Sequence, residues 1–243
     1  TTARNNFLTK RLNVWCNSET AWINVDKWNR CPPIADDTVL QQTPCYIGLD
    51  LASKLDIAAL VMIFPIDGVL HVKCRFWLPE EAIEIKARSV GVLYQSWAES
   101  GYLTLTPGAV IDFDQIEDEI KEIMSDYDVQ EIAFDPWNAT QMSSHLLAEG
   151  LPMVEVHQTV KNLSDAMKQT EASIIAGKIA HGDNPVLNWM ASNVVVQVDR
   201  NDNVFPRKEH PDNKIDGMVA LFTATCRYLR NLDNYVSGGF MEL

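Results

Sequence analysis

The sequence predicts an α/β fold, a mixed β-sheet flanked by helices, and three observations predict it. Apolar stretches follow one another at residues 45–51, 57–64 and 69–77, separated only by turn signals. Beyond them, strand-like segments alternate with segments of helical periodicity, as in a sheet with helices packed on its faces. The 243 residues are 47% apolar, enough to bury one sizeable core.

Residues 1–43 are polar and irregular, punctuated by Trp15, Trp22 and Trp28 and broken at Pro32-Pro33. They read as a lead-in that packs on the body through its tryptophans. In residues 45–51, Ile47, Leu49 and Leu51 share one face and Gly48 and Asp50 the other, so the first strand closes on an aspartate. Residues 57–64 are apolar throughout, like a central strand covered on both faces. Asp67-Gly68 is a hairpin turn, and residues 69–77 complete an antiparallel three-stranded meander. Residues 80–100 read as helix in two pieces. Ile116, Ile120, Ile123 and Tyr127 then form a stripe behind the capping candidates Asp112 and Asp114. Residues 131–135 make a strand halted by Pro136, residues 138–149 a helix closed by Gly150, and residues 153–156 a further strand. Leu163, Met167, Thr170 and Ile174 line the next helix, and residues 194–198 and 204–205 form a hairpin around Asn201-Asp202-Asn203. A last helix beginning near Asp212 carries Ile215, Val219, Phe222, Cys226 and Leu229 on one face, and residues 231–243 read as a tail. The order β-β-β-α-β-α-β-α, with the hairpin added, resembles that of the ribonuclease H fold, in which parallel strands extend the antiparallel meander.

The net charge is -13 and the isoelectric point about 4.7. Lys and Arg supply most non-specific affinity for nucleic acid, so composition alone favours a small-molecule enzyme or a docking module. A nuclease reading rests on local chemistry instead: clustered carboxylates account for part of the acidity, and bound divalent ions would reverse its sign locally. The five cysteines are scattered without a C-x-x-C pair, which argues against a disulfide framework and a zinc knuckle. There is neither a membrane-length apolar run nor a basic-then-apolar leader, so the chain reads as soluble and intracellular. It opens on Thr1, and reads as a fragment or a processed product.

Three aspartates fall where elements begin or end: Asp50 on the first strand, Asp135 at the tip of the fourth, and Asp216 early in the last helix. Two-metal phosphodiester hydrolysis needs hard oxygen ligands that converge from separate elements, and carboxylates on adjacent strands plus one on a packed helix can provide them. Singly, each also suits a turn or the first turn of a helix.

The blocks Ile47-Gly48-Leu49-Asp50-Leu51-Ala52, Ala133-Phe134-Asp135-Pro136-Trp137-Asn138 and Lys214-Ile215-Asp216-Gly217-Met218-Val219-Ala220-Leu221, in that order, resemble the large terminases of tailed double-stranded DNA phages. Residues 180–190 and 205–208 add to the similarity, which spans roughly residues 8–230. Large terminases join an ATPase motor to a ribonuclease-H-like nuclease that cuts concatemeric DNA at the start and end of packaging. The resemblance implies that residues 44–230 are the nuclease and that residues 1–43 lead in from an ATPase domain. No G-x-x-x-x-G-K-[ST] loop is present, so the motor half is expected to be absent. It further implies that Asp50, Asp135 and Asp216 are catalytic ligands of two divalent ions, Mg²⁺ or Mn²⁺. The implied partners are double-stranded DNA, the small terminase subunit and the portal of the procapsid, in the host cytoplasm and with no membrane.

Asp212 lies four residues before Asp216 and follows Pro211; it reads as the helix cap first and as a fourth ligand second. Asp56 reads as a turn former. Lys54, Lys208 and Lys214 are candidate contacts to DNA phosphates, with Arg207 a weaker one. His157 and His181 read as structural, and Trp137 and Trp189 as core residues in preference to base-stacking ones. Rival functions are a Holliday-junction-resolvase-like nuclease, a non-catalytic docking module of the packaging motor, and an actin-like or sugar-kinase ATPase. The first would need a basic surface, and the last Gly-rich phosphate loops.

Overall fold

A computed structural model describes residues 22–51, 55–85 and 88–238. Trp15 and Lys54 lie outside them. Two short helices, α1 (Val25–Trp28) and α2 (Asp37–Leu40), precede strand β1 (Cys45–Asp50). Strands β2 (Ala58–Ile66) and β3 (Val69–Pro79) pair antiparallel with it in sequence order, completing the meander. On the other side of β1, β5 (Val129–Phe134) and then β6 (Met153–Glu155) pair parallel. Helices α3 (Glu81–Ile85) and α4 (Arg88–Glu99) follow β3, and the short strands β4 (Thr104–Thr106) and β7 (Ile179–Ala180) pair parallel with opposite ends of β3. The sheet order is therefore β4-β3-β2-β1-β5-β6, with β1 and β2 central.

Helices cover both faces, which is why β2 is apolar at every position from Ala58 to Phe64. On one face Ile47, Leu49, Leu60, Met62 and Phe64 pack under α5 (Phe113–Asp126) and α6 (Pro136–Ala148), through Ile116, Ile120, Met142 and Leu146. On the other, Tyr46, Val61, Val72 and Phe76 meet α7 (Val160–Ile175), α8 (Pro185–Asn193) and α9 (Asp216–Gly238). Trp28 and Trp22 join that second layer. The Trp28 indole stacks on His181 at 4.0 Å and donates to Asn188 Oδ1 at 2.7 Å, and Trp22 meets Phe222 edge-on at 5.0 Å. Burial pushes the Cys45 and Cys74 thiols up to about 12, as expected of cysteines that serve as small apolar residues. Among the described residues no helix is long and apolar enough to cross a membrane.

Helix α9 runs along β1 so closely that Gly48 is obligatory. A Cβ there would lie 2.0 Å from the Ala220 carbonyl oxygen and 2.7 Å from the Ala224 nitrogen. Gly217 does the same at the helix start, where a Cβ would meet Phe76 at 2.8 Å.

The structure corrects the start of this helix. Its first carbonyl acceptor is Ile215, which takes the N–H groups of Met218 and Val219, and residues 211–215 are not helical. Asp212 is therefore neither the cap nor on a shared helical face with Asp216. Two tertiary contacts hold this stretch out of the helix: Lys214 Nζ reaches Asp56 Oδ2 at 2.6 Å, and the Lys214 carbonyl accepts from Asn193 Nδ2 at 2.9 Å. The helix also continues to Gly238, past the point where the sequence periodicity fades. Helix α8 and strands β4 and β7 were not expected, and the hairpin strands β8 (Val194–Val198) and β9 (Val204–Lys208) form a separate two-stranded sheet.

Candidate active site

The parallel strands β1, β5 and β6 end at the same edge of the sheet, where open α/β sheets form their clefts. Asp50 is the last residue of β1. Asp135 follows β5 directly and caps α6: its Oδ1 accepts from the Trp137 N–H at 2.9 Å, with Pro136 at the first helical position. Asp216 opens α9. One turn of helix from Ala220 leads back to Asp216, while two strand residues lead from Gly48 to Asp50, so the close approach at Gly48 brings the two carboxylates to one place.

A cleft of about 160 Å³ is lined by Asp50, Leu51, Asp135, Trp137 and Gln158. Gln158 connects two of the aspartates. Its backbone N–H donates to Asp135 Oδ2 at 2.7 Å, and its Nε2 donates to Asp50 Oδ1 at 2.9 Å. Asp56 belongs to the same group, with Oδ1 accepting from the Ile57 N–H and Oδ2 paired with buried Lys214.

The electrostatics are those of crowded carboxylates. Burial, then the charge of Asp216, pushes the Asp50 carboxyl up to about 8; the Gln158 amide works against that, and Asp135 and Asp56 add to it. Burial and Asp56 push Asp216 up to about 6, against the pull of Lys214 and Lys208. Asp216 Oδ2 is shut away from solvent without a hydrogen-bond partner, and so is the hydroxyl of Tyr94. Burial raises the Tyr94 phenol, and Asp56, Asp216 and Asp212 add to the effect.

This donor set suits a hard divalent cation: it is all oxygen, under-neutralised, and includes an orphaned carboxylate oxygen. Asp216, Asp135 and Asp56 are each near enough for their charge to act on Asp50, and Asp56 acts on Asp216 as well. Among the described residues, however, no three His, Cys, Asp or Glu side chains are close enough to hold one ion as they stand.

The other candidates are dispersed. Lys208 is exposed at the end of β9, close enough for its charge to reach Asp216. Lys214 is buried against Asp56, with no ammonium left at the surface for a phosphate. Asp212 is half-exposed beside His210. Arg207 is exposed, and its Nε donates to Gln197 Oε1 across the hairpin at 2.8 Å. His181 is structural, with its Nε2 on the Trp28 carbonyl, and burial lowers its pKa. Trp189 packs with Trp97 and Tyr94.

Trp137 departs from the expectation of a core residue, since it is 89% exposed at the rim of the cleft. Residue type alone favours burial, but position two of a helix capped by a cleft aspartate turns this indole outward. Gln158 and Tyr94 went unnoticed in the sequence because neither carries a local signal. The spacing of Gln158, three residues past a strand parallel to those bearing Asp50 and Asp135, was the one available clue.

A mixed sheet with this order, carrying clustered aspartates at the ends of its central strands and on its last helix, defines a domain of the ribonuclease-H-like class. Residues 2–231 match the family described as the terminase large subunit, endonuclease domain, and the chain belongs to that family. It is 37% identical over 237 residues to protein YmfN of Escherichia coli K12, covering 92% of this chain and 52% of that protein. It is 33% identical over 220 residues to the terminase large subunit of Enterobacteria phage HK97, covering 89% of this chain and 43% of that one. The chain thus spans about half the length of the curated relatives it matches. The crystal structure of the HK97 large terminase superposes with a TM-score of 0.77 over 93% of this chain and 47% of its own, at 32% identity. The large terminase nuclease from thermophilic phage G20c with bound magnesium shares the fold at 11% identity, with a TM-score of 0.56 over 86% of this chain and 98% of that one.

Proposed function

We propose that this domain is a metal-dependent endonuclease that cuts concatemeric double-stranded phage DNA during genome packaging, through phosphodiester hydrolysis with two divalent ions, Mg²⁺ or Mn²⁺. The observation that carries the reading is the crowding of Asp50, Asp216, Asp135 and Asp56 at one sheet edge, with an orphaned oxygen on Asp216 and an Asp50 carboxyl pushed up by burial and by its acidic neighbours. Asp50, Asp135 and Asp216 would hold the ions, and small movements would bring their oxygens into range. The bound ions supply a lowered water pKa and stabilise charge on the phosphate oxygens. Around them, Lys208 would meet a backbone phosphate, and the exposed Trp137 would lie against a base or sugar next to the cut. Lys214 would act instead as the fixed counter-ion of Asp56. That a domain of the same fold, the large terminase nuclease from phage G20c, holds bound magnesium supports the use of a divalent ion.

In the whole protein an ATPase domain would supply the DNA, with the small terminase subunit and the portal of the procapsid as partners in the host cytoplasm. Residues 1–43 would link that domain to the nuclease body, which extends to the end of α9 at Gly238 rather than stopping at residue 230. Plasmid cleavage tests the core of the reading. Cutting in Mn²⁺ or Mg²⁺, absent in EDTA, is expected to fall at least about 100-fold in Asp50→Ala and Asp135→Ala. Folded protein that neither cuts nor binds metal by calorimetry would leave only a docking module.

A further inference from the structure

We infer that Gln158 is a positioning residue of the carboxylate cleft, tying Asp50 to Asp135 so that only a small movement brings both into range of one small hard cation. The inference rests on the metal-dependent reading above. Gln158 lies three residues beyond β6 and reaches over the end of β5 to β1, so it spans all three parallel strands that end at the cleft. It touches both aspartates by different atoms, the backbone N–H on Asp135 Oδ2 and the side-chain amide on Asp50 Oδ1.

The backbone that carries it is pinned on both sides. The Val156 N–H donates to the Phe134 carbonyl at 2.8 Å, tying the segment to β5. The His157 carbonyl accepts from the Thr159 N–H and from Asn162 Nδ2, each at 2.8 Å. The Thr159 carbonyl accepts the first N–H groups of α7, from Asn162 and Leu163. Gln158 is therefore fixed between the end of the sheet and the start of a helix, and only its side-chain torsions remain free.

The residue type fits the task. A carboxamide orients a carboxylate by donating a hydrogen bond, yet adds no charge. A lysine or arginine in its place would neutralise Asp50 and compete with the cation, while a glutamate would add to the repulsion. Asp135 is fixed in its plane from both ends, by the Trp137 N–H on Oδ1 and the Gln158 N–H on Oδ2, and each oxygen keeps a second lone pair. The Gln158 side chain is what relates Asp50 to that fixed carboxylate. Mg²⁺ demands near-ideal octahedral geometry and Ca²⁺ tolerates irregular shells, so losing the tie should weaken Mg²⁺ binding more than Ca²⁺ binding.

The test is titration calorimetry of Mg²⁺ and Ca²⁺ into the wild type, Gln158→Ala, Gln158→Leu and Asp50→Ala, with circular dichroism to confirm the fold. Both Gln158 variants are expected to lose about 10- to 100-fold in Mg²⁺ affinity and distinctly less in Ca²⁺ affinity, while Asp50→Ala loses both ions. Gln158→Leu keeps most of the bulk of the side chain without its amide, so a defect in Gln158→Ala alone would reflect packing and overturn the inference. Wild-type Mg²⁺ affinity in both variants, with binding still lost in Asp50→Ala, would overturn it too but leave the nuclease reading intact. A folded wild type that binds neither ion would bring down both.

Discussion

A buried aspartate with other carboxylates for neighbours weakens the fold that carries it, and Asp50 is such a residue. Its carboxyl is pushed up to about 8 by burial and by Asp216, Asp135 and Asp56. A group whose folded pKa lies above its unfolded value contributes its full stability below the unfolded pKa, about 3.9 for Asp, and that contribution is lost as pH rises through the folded pKa. Wild-type protein in EDTA should therefore lose stability between about pH 4 and about pH 8 by an amount traceable to this side chain. Asp50→Asn keeps an acceptor for the Gln158 amide and removes the charge. At about pH 8 in EDTA it should gain on the order of 2 kcal/mol, or roughly 4–8 °C in Tm, and the gain should shrink toward about pH 4. Comparing the two proteins at each pH cancels the titration of the rest of the surface. Thermal melts in which the wild type is the more stable of the two at about pH 8 would refute the account. Added Mg²⁺ should close the gap from the wild-type side only, because the variant has lost a ligand.

At the scale of elements, the site is assembled by one helix lying on one strand. Ala220 and Ala224 press their backbones onto Gly48, and Asp216 meets Asp50 as a consequence. Gly48→Ala puts a methyl into backbone atoms that cannot turn aside, so α9 must lift away from β1. The expected cost is about 1–3 kcal/mol in denaturant unfolding, together with a loss of about 100-fold in cleavage from an ångström-scale shift of Asp216. Wild-type stability and cleavage in Gly48→Ala would show the apposition to be looser than drawn.

The strands of this assembly were legible in the sequence because they are long enough to show alternation or a continuous apolar run. Strands β4 and β7, at three and two residues, show neither, whereas the equally short β6 stands out because Gly150 and Pro152 separate it from the helix before it. Helix α8 did carry a signal in Asn184-Pro185, a cap followed by proline at the first position, and the Asn184 side chain accepts from Val186 and Leu187. The pairings that finish the site could not be read. Gln158 meets Asp50 across 108 residues and Lys214 meets Asp56 across 158, and neither pair leaves a mark in its local pattern. The same ion pair explains why Pro211-Asp212 looks like a helix start and is not one.

For the molecule as a whole, the charge of -13 would govern how it meets DNA under the proposed function. A nuclease with this balance has little to offer phosphates beyond its bound ions and a few cations near the cleft, such as Lys208. Acidity of this kind would act as a restraint: the domain would bind duplex weakly alone and cut when DNA is held against it by the rest of the protein, at an effective concentration that diffusion does not supply. Fluorescence anisotropy with a short labelled duplex in Ca²⁺ should therefore give a Kd no tighter than about 1 μM at physiological salt, weakening further as salt rises. Lys208 and Trp137 should respond differently. Lys208→Ala removes a phosphate contact and should lower the salt dependence by about one unit of slope. Trp137→Ala removes an uncharged surface worth about 1–3 kcal/mol per stacked base, so it should weaken binding without changing the slope. Because Trp137 is 89% exposed, that variant should keep its thermal stability, which separates a contact with DNA from a contribution to the core. Nanomolar duplex affinity in the isolated domain would rule out the restraint and shift the control of cutting from charge to the geometry of the cleft.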